Sequence, residues 1–232
     1  MPSKKASLTP SPPDVDAVVP VRRKRSRVCI VGYGSSGRLV PWTEYDTDFW
    51  GFNEPGGTSE PARNISSFGE WFQLHHRNYL ERTQRNPGAM VYFQHSLDWY
   101  RALRYTPLYV WEPKDWPECL TAKAFPKTEV EALTPHGRYH LSSVDWLVAL
   151  AIYRGYEHIS VYGIDFGPTD GGEPMGARAC LEYWLGVAEG RGITTHVEGG
   201  AMFHGYQWVR ADWQYGYEHA NNEVRQDRPV EG

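Results

Sequence analysis

The sequence predicts a three-layer α/β fold, Rossmann-like, with a mostly parallel sheet and helices on both faces. Three observations carry this. Val28-Cys29-Ile30-Val31 is an unbroken apolar run ending at Gly32, the pattern of a central strand covered on both sides. An apolar helix beginning near Ser142 leads through Gly155-Tyr156-Glu157 into the run His158 to Phe166, and helix followed by strand is half of an α/β unit. A second helix, from about Ala177 to Glu189, closes at Gly190-Arg191-Gly192 and is followed by Ile193 to Val197.

The remaining elements follow in order. Residues 1–27 hold five prolines and the basic run Arg22-Arg23-Lys24-Arg25-Ser26-Arg27, too little apolar surface to offset ordering, and are expected to form a disordered tail. After the first strand a weak segment runs from Gly37 to Glu44. Asp48 to Asn53 is the second strand, stopped by Glu54-Pro55-Gly56-Gly57. Glu70 to Leu74 is the third, Met90 to Gln94 the fourth, and Leu108 to Trp111 a shorter one, with short helices or loops between them. In the helix from Leu141, Ser142 or Ser143 can serve as the cap, and Asp145, three after Ser142, makes a variant of the capping box with Asp in place of Glu. Val144, Leu147, Val148 and Ala151 mark its apolar face, and Gly155 stops it. Residues 206–232 read as an aromatic segment with a frayed end, which leaves 28–205 as the folded domain.

Composition narrows the function classes. A net charge of −4 argues against general nucleic-acid binding, although the arm from Arg22 to Arg27 is locally basic. Three cysteines without CxxC spacing argue against a disulfide framework or a zinc site and fit a cytoplasmic location. No apolar run is long enough to cross a membrane. Aromatic residues reach 14%. Tyr33, Trp42, Trp99, Tyr100, Trp116, Tyr139, Trp208 and Trp213 fall outside the predicted strands and helix faces. They are expected to line a cleft that stacks on bases or sugars, or else a homo-oligomer interface.

In a parallel sheet, ligands bind beyond the carboxyl ends of the strands, so the residues there are read for chemistry. Gly32-Tyr33-Gly34-Ser35-Ser36-Gly37 is a GxGxxG loop whose N–H groups are expected to cradle a phosphate. A dinucleotide is disfavoured, because the second strand ends in Asn53 instead of an acid and Pro41 breaks any long helix after the loop. Asn53 suits a base edge or a sugar hydroxyl. Ser142 and Ser143 offer hydroxyls and a positive helix end to an anion, or serve only as caps. His75, followed by His76, is a candidate general base or ligand, or else one of a surface histidine pair; Asp165, which ends a strand, is a candidate base, sugar-hydroxyl ligand or metal ligand. Asp46-Thr47-Asp48 is a DxD triplet, but it precedes a strand. No metal site is assigned, and a divalent cation is the less favoured alternative.

The stretch from Ser142-Ser143 to "ISVYGIDF" (159–166) resembles a segment of the bacterial sialyltransferases that use a CMP-activated sugar, and of related Rossmann-type motility-accessory glycosyltransferases. The Val31 to Gly37 turn resembles their amino-terminal glycine loop, and Asn53 falls where they carry an asparagine. Glu182 to Gly186 and Arg191-Gly192-Ile193 resemble a set of bacteriophage proteins of this type. The resemblance spans roughly residues 28–200. It implies a glycosyltransferase that holds a nucleotide-sugar through Gly32, Tyr33, Gly34, Ser35, Ser36, Asn53, Ser142 and Ser143. It also implies an inverting transfer with one general base and no cofactor or metal. Those sialyltransferases carry their base histidine in a long segment after the Asp-Phe pair. Here only residues 167–176 follow and hold no histidine, which leaves Asp165, His75 and Glu173 as candidates. The phage likeness adds a modified DNA base as acceptor, with Arg22, Arg23, Lys24, Arg25 and Arg27 on its backbone; a protein or surface-glycan acceptor fits the net charge equally. The alternatives are a non-catalytic nucleotide binder and an interaction module on the same fold.

Overall fold

The computed structural model describes residues 25–53, 67–83, 97–164 and 175–198. Seven strands form one sheet: β1 (Arg27–Val31), β2 (Thr47–Phe52), β3 (Glu70–Gln73), β4 (Leu108–Val110), β5 (Ala122–Ala124), β6 (His158–Tyr162) and β7 (Thr194–Glu198). Their order is β5-β4-β3-β2-β1-β6-β7, and every pairing is parallel. The helices are α1 (Arg77–Thr83), α2 (97–102), α3 (Lys127–Glu131), α4 (Ser143–Tyr153) and α5 (Met175–Gly190). Strand order runs outward one way from β1 to β5 and the other way through β6 and β7. The direction of winding therefore reverses between β1 and β6.

β1 is buried because both of its faces are covered. Alternate residues point to opposite sides of a strand. Val28 and Ile30 join Trp50, Phe52, Phe72 and the inward residues of α4 and α5 in one core. Cys29 and Val31 join Phe49, Trp71, Leu80, Tyr100 and Leu103 in the other. Gly51 makes the second core possible: a Cβ there would meet the Trp71 ring at 2.2 Å, so the indole lies flat against bare β2 backbone.

The strands expected at 28–31, 48–53, 70–74, 108–111, 158–166 and 193–197 are present with shifted ends. β6 stops at Tyr162, earlier than expected, because Gly163 turns the chain with φ +68°. The strand expected at Met90 to Gln94, most of the tail 1–27 and the segment 206–232 lie outside the described residues. β5 and α3 were not expected as elements. β5 is three residues long with two exposed, too short and too polar to show a pattern. α4 is capped and stopped where expected, but Ala149, Leu150 and Ile152 are buried as well as the predicted face, since α3 and α5 flank it. The segment after the glycine loop is a 3-10 turn, Ser35–Leu39, which ends before Pro41. Among the described residues no helix is long and apolar enough to cross a membrane.

Charges cluster at the amino edge of the sheet. Arg154, at the end of α4, pairs with Glu70 and lies over the Trp50 and Tyr109 rings, 5.0 Å from each. Burial pushes the Glu70 carboxyl above its ordinary range even with that guanidinium beside it. Tyr156 donates to Asp48 at 2.8 Å, and Arg25 pairs with Asp48. The DxD triplet is therefore part of this structural network, at the edge away from the strand ends. Arg27 stands at the same edge, about 13 Å along β1 from Val31 at ordinary strand rise, and Arg25 lies two residues before it.

All three thiols are buried. Burial pushes Cys29 up to about 12 and Cys119 up to about 11, and raises Cys180 as well. Since the thiolate is the reactive form, a thiol reagent at pH 8 is expected to label the folded protein slowly and all three sites at once on denaturation. Fast labelling of the native protein would contradict this core.

Candidate functional site

Because all seven strands are parallel, Val31, Phe52, Gln73, Val110 and Tyr162 finish at one edge, and the residues following them form its rim. The helix-strand connection puts the amino end of α4 at the same edge.

At the β1/β6 switch the two strand ends are joined backbone to backbone. Gly32 N–H donates to the Tyr162 carbonyl at 2.8 Å, and Gly34 N–H to the Gly163 carbonyl at 2.7 Å. Gly163 N–H donates in turn to Ser36 Oγ at 2.8 Å. A Cβ on Gly32 would lie 2.4 Å from the Gly163 oxygen, and one on Gly163 would lie 2.4 Å from the Gly32 oxygen. The glycines serve this close approach. A phosphate cradle in this loop needs its N–H groups, yet those of Gly32 and Gly34 are spent on the end of β6. Ser36 is buried and structural. Ser35 is the exposed residue of the loop, and Tyr33 and Gly34 are half-buried.

Asn53 follows β2 with φ +58°, a left-handed conformation that asparagine tolerates better than other side chains with a Cβ. Its N–H donates to Phe72 O at 2.8 Å, and its carbonyl accepts from Trp71 Nε1 and the Tyr100 hydroxyl, each at 3.0 Å. Ser143 Oγ donates to Asn53 Oδ1 at 2.8 Å, joining the first residue of α4 to the end of β2 across 90 positions. Ser142 acts differently. Its N–H and hydroxyl, together with Leu141 N–H, go to Asp145 Oδ2. Asp145 Oδ1 meets His140 Nδ1 at 2.7 Å, and both side chains are buried. The α4 cap thus already holds a carboxylate, and Ser143 is the serine that faces the strand ends.

Gln73, fully buried at the end of β3, donates from Nε2 to the Tyr100 hydroxyl at 2.6 Å. Its Oε1 lies 2.9 Å from His75 N and 3.1 Å from His75 Nδ1. His75 is half-buried on the rim, and His76 is exposed. Asp165 and Glu173 lie outside the described residues. Among the described residues no three His, Cys, Asp or Glu side chains gather as a metal site would require.

The aromatic residues divide otherwise than expected. Tyr100 and Trp116 are core residues; Trp42 packs on Phe49 and Phe68, and Trp99 on Trp71. Trp208 and Trp213 lie outside the described residues. Tyr139, half exposed, borders an open cleft of about 970 Å³ between α3 and α5, with Tyr183, Glu131 and Arg138 on its walls. The ring surface at the rim comes from residues that the sequence did not single out. Trp111 and Trp146 meet edge to face at 5.2 Å, and His140 stacks between Trp146 and Trp184. Trp111 Nε1 donates to Leu74 O at the start of the His75 turn.

No family model matches the chain, and no curated protein matches it. Among solved structures it is similar to the sialyltransferase CstII from Campylobacter jejuni in complex with a substrate analogue. The identity is 13%, over 74% of this chain and 79% of that one, with a TM-score of 0.43. A variant of the same enzyme in complex with CMP matches at 13% identity over 74% and 81%, TM-score 0.47. Its complex with a trisaccharide acceptor and CMP matches at 14% over 74% and 80%, TM-score 0.43.

Proposed function

We propose that the chain binds a nucleotide-sugar at the carboxyl edge of the sheet and transfers the sugar to an acceptor hydroxyl. One observation carries this reading: Ser143 holds left-handed Asn53 at the end of β2, with the amino end of α4 brought against it beside the β1/β6 switch. Open parallel sheets receive nucleotides at such a switch. Tyr33 to Ser35 and the first turn of α4 would flank the phosphate, and Asn53 Nδ2 would face the sugar or base. The resemblance of residues 142–166 to glycosyltransferases makes a nucleotide-sugar the first ligand to test.

In the transfer, His75 takes the proton of the acceptor hydroxyl, and that oxygen bonds to the anomeric carbon. The bond from this carbon to the phosphate oxygen breaks, and the nucleotide leaves with the electron pair, inverting the centre. Asp165 and Glu173 are the alternative bases. A DNA acceptor is the finer reading. Because Arg25 and Arg27 stand at the amino edge, they would meet a part of such an acceptor remote from the reacting base.

Calorimetry with CMP and UDP, then turnover of CMP- and UDP-sugars, tests this. Binding is expected, and Asn53→Gly should weaken it about tenfold, roughly 1.4 kcal/mol. Glycine keeps the left-handed backbone, so Tm should barely change. Absence of binding overturns the site. Binding without turnover would favour the capture of a nucleotide by a non-catalytic protein.

A further inference from the structure

We propose that Gln73 is the positioning residue for His75, and that a hydrogen-bond relay from the Asn53 carbonyl through Tyr100 and Gln73 fixes the histidine with its proton on Nδ1 and its lone pair on Nε2. The inference rests on the reading of His75 as the base, and it adds what holds that base in its working form.

The two ends of the relay point to one assignment. At one end is a backbone carbonyl, Asn53 O, which can only accept, so the Tyr100 hydroxyl spends its single proton there, at 3.0 Å. The Tyr100 oxygen must then accept from its 2.6 Å neighbour on Gln73, so that neighbour is the amide nitrogen and not the amide oxygen. At the other end is a backbone N–H, that of His75, which can only donate, and it reaches the other amide atom of Gln73 at 2.9 Å. That atom is therefore the oxygen. Both ends give the same orientation of the amide. His75 Nδ1, 3.1 Å from the same oxygen, must carry a proton to bond there. An imidazole that donates from Nδ1 presents its basic lone pair at Nε2.

Burial makes the arrangement rigid. Gln73 is fully buried and Tyr100 is 1% exposed, so either group would be costly to leave unpaired, and the amide cannot turn over without breaking three bonds at once. The Tyr100 ring is packed edge to face on Trp116 at 5.4 Å. The Asn53 carbonyl at the head of the relay belongs to the residue whose side chain Ser143 holds. The base and the nucleotide-facing turn are thus fixed to one another through four residues from β2, β3, α2 and α4.

Nitrogen-15 spectra of the imidazoles in the full chain at pH 8 test this without need of any substrate. The His75 ring is expected as the Nδ1–H form, the minor one for a free histidine side chain. Gln73→Leu keeps volume and burial but removes the acceptor, and is expected to return the ring to mainly Nε2–H. A wild-type ring found as Nε2–H, or a ring unmoved by Gln73→Leu, overturns the proposal. If Gln73→Leu does not fold, the wild-type spectrum decides alone. Where turnover is measured, Gln73→Leu should lower kcat by about 10–100-fold, as loss of an orienting partner does, with KM for the nucleotide-sugar within about twofold. An unchanged kcat also overturns it. A correct tautomer in a protein that turns over no nucleotide-sugar would leave the relay standing and remove the transferase reading instead.

Discussion

Gly163→Ala is expected to lower stability by about 2–5 kcal/mol, combining left-handed strain with overpacking. For a chain of this size that is a fall in Tm of roughly 5–15 °C. The residue has φ +68°, where a Cβ presses on the carbonyl that follows, and that Cβ would also lie 2.4 Å from the Gly32 oxygen. The obstructing atom is backbone, directly after the buried strand β1, so it cannot swing aside as a side chain would. Relief requires β1 and β6 to part at the switch, which breaks the bonds from Gly32 and Gly34 and withdraws Ser36 from Gly163. Nucleotide affinity, where it is measured, should fall with the stability. Gly186→Ala is the control. Nothing lies within 4 Å of a Cβ there, in the body of α5, and alanine should raise stability by up to about 1 kcal/mol. Thermal melts of the two variants side by side check the expectation; equal melting temperatures would refute it.

Asp145→Ala is expected to cost about 2–4 kcal/mol, since it removes the one side chain that four donors share as acceptor. Its carboxylate is fully buried and receives the Leu141 and Ser142 N–H groups, the Ser142 hydroxyl and the His140 ring. Alanine would leave the His140 ring, stacked between Trp146 and Trp184, and the part-buried Leu141 and Ser142 donors with no acceptor. Asp145→Asn keeps the shape: its oxygen can still cap α4, and its amide can donate to His140 once the imidazole proton moves to Nε2. Its loss should be about 1–2 kcal/mol. Denaturant unfolding of both variants separates the roles. Equal losses would mean that charge, and not the number of acceptors, holds this end of α4.

The resemblance and the helix-strand alternation lead to the correct fold class because the signals behind them are local. β1 is apolar at every position since both faces are covered, and Gly32 must follow it. Ser142 and Asp145 announce the α4 amino end within four residues, and Gly155 its stop. β5 had no such signal. It is a short edge strand, recognisable only by its pairing with β4. The loop aromatics were misread for a related reason. Tyr100 and Trp116 stand outside strands, but β3 and β4 supply a surface for them to cover, so they are core.

The site divides along the same line. The sequence by itself determined which residues could stand at the strand ends: Gly32 to Ser36, Asn53, His75, Ser142 and Ser143. Each follows or precedes an element with its own local punctuation. Only the tertiary structure decided what they are free to do. It spent the Gly32 and Gly34 N–H groups on β6, turned Ser143 toward Asn53, and tied His75 through Gln73 and Tyr100 to the end of β2. A hydrogen bond between residues 20 to 130 positions apart leaves no trace in local propensity or spacing. It exists only once packed strands and helices bring donor and acceptor within 3 Å, where burial makes leaving either one unpaired too costly.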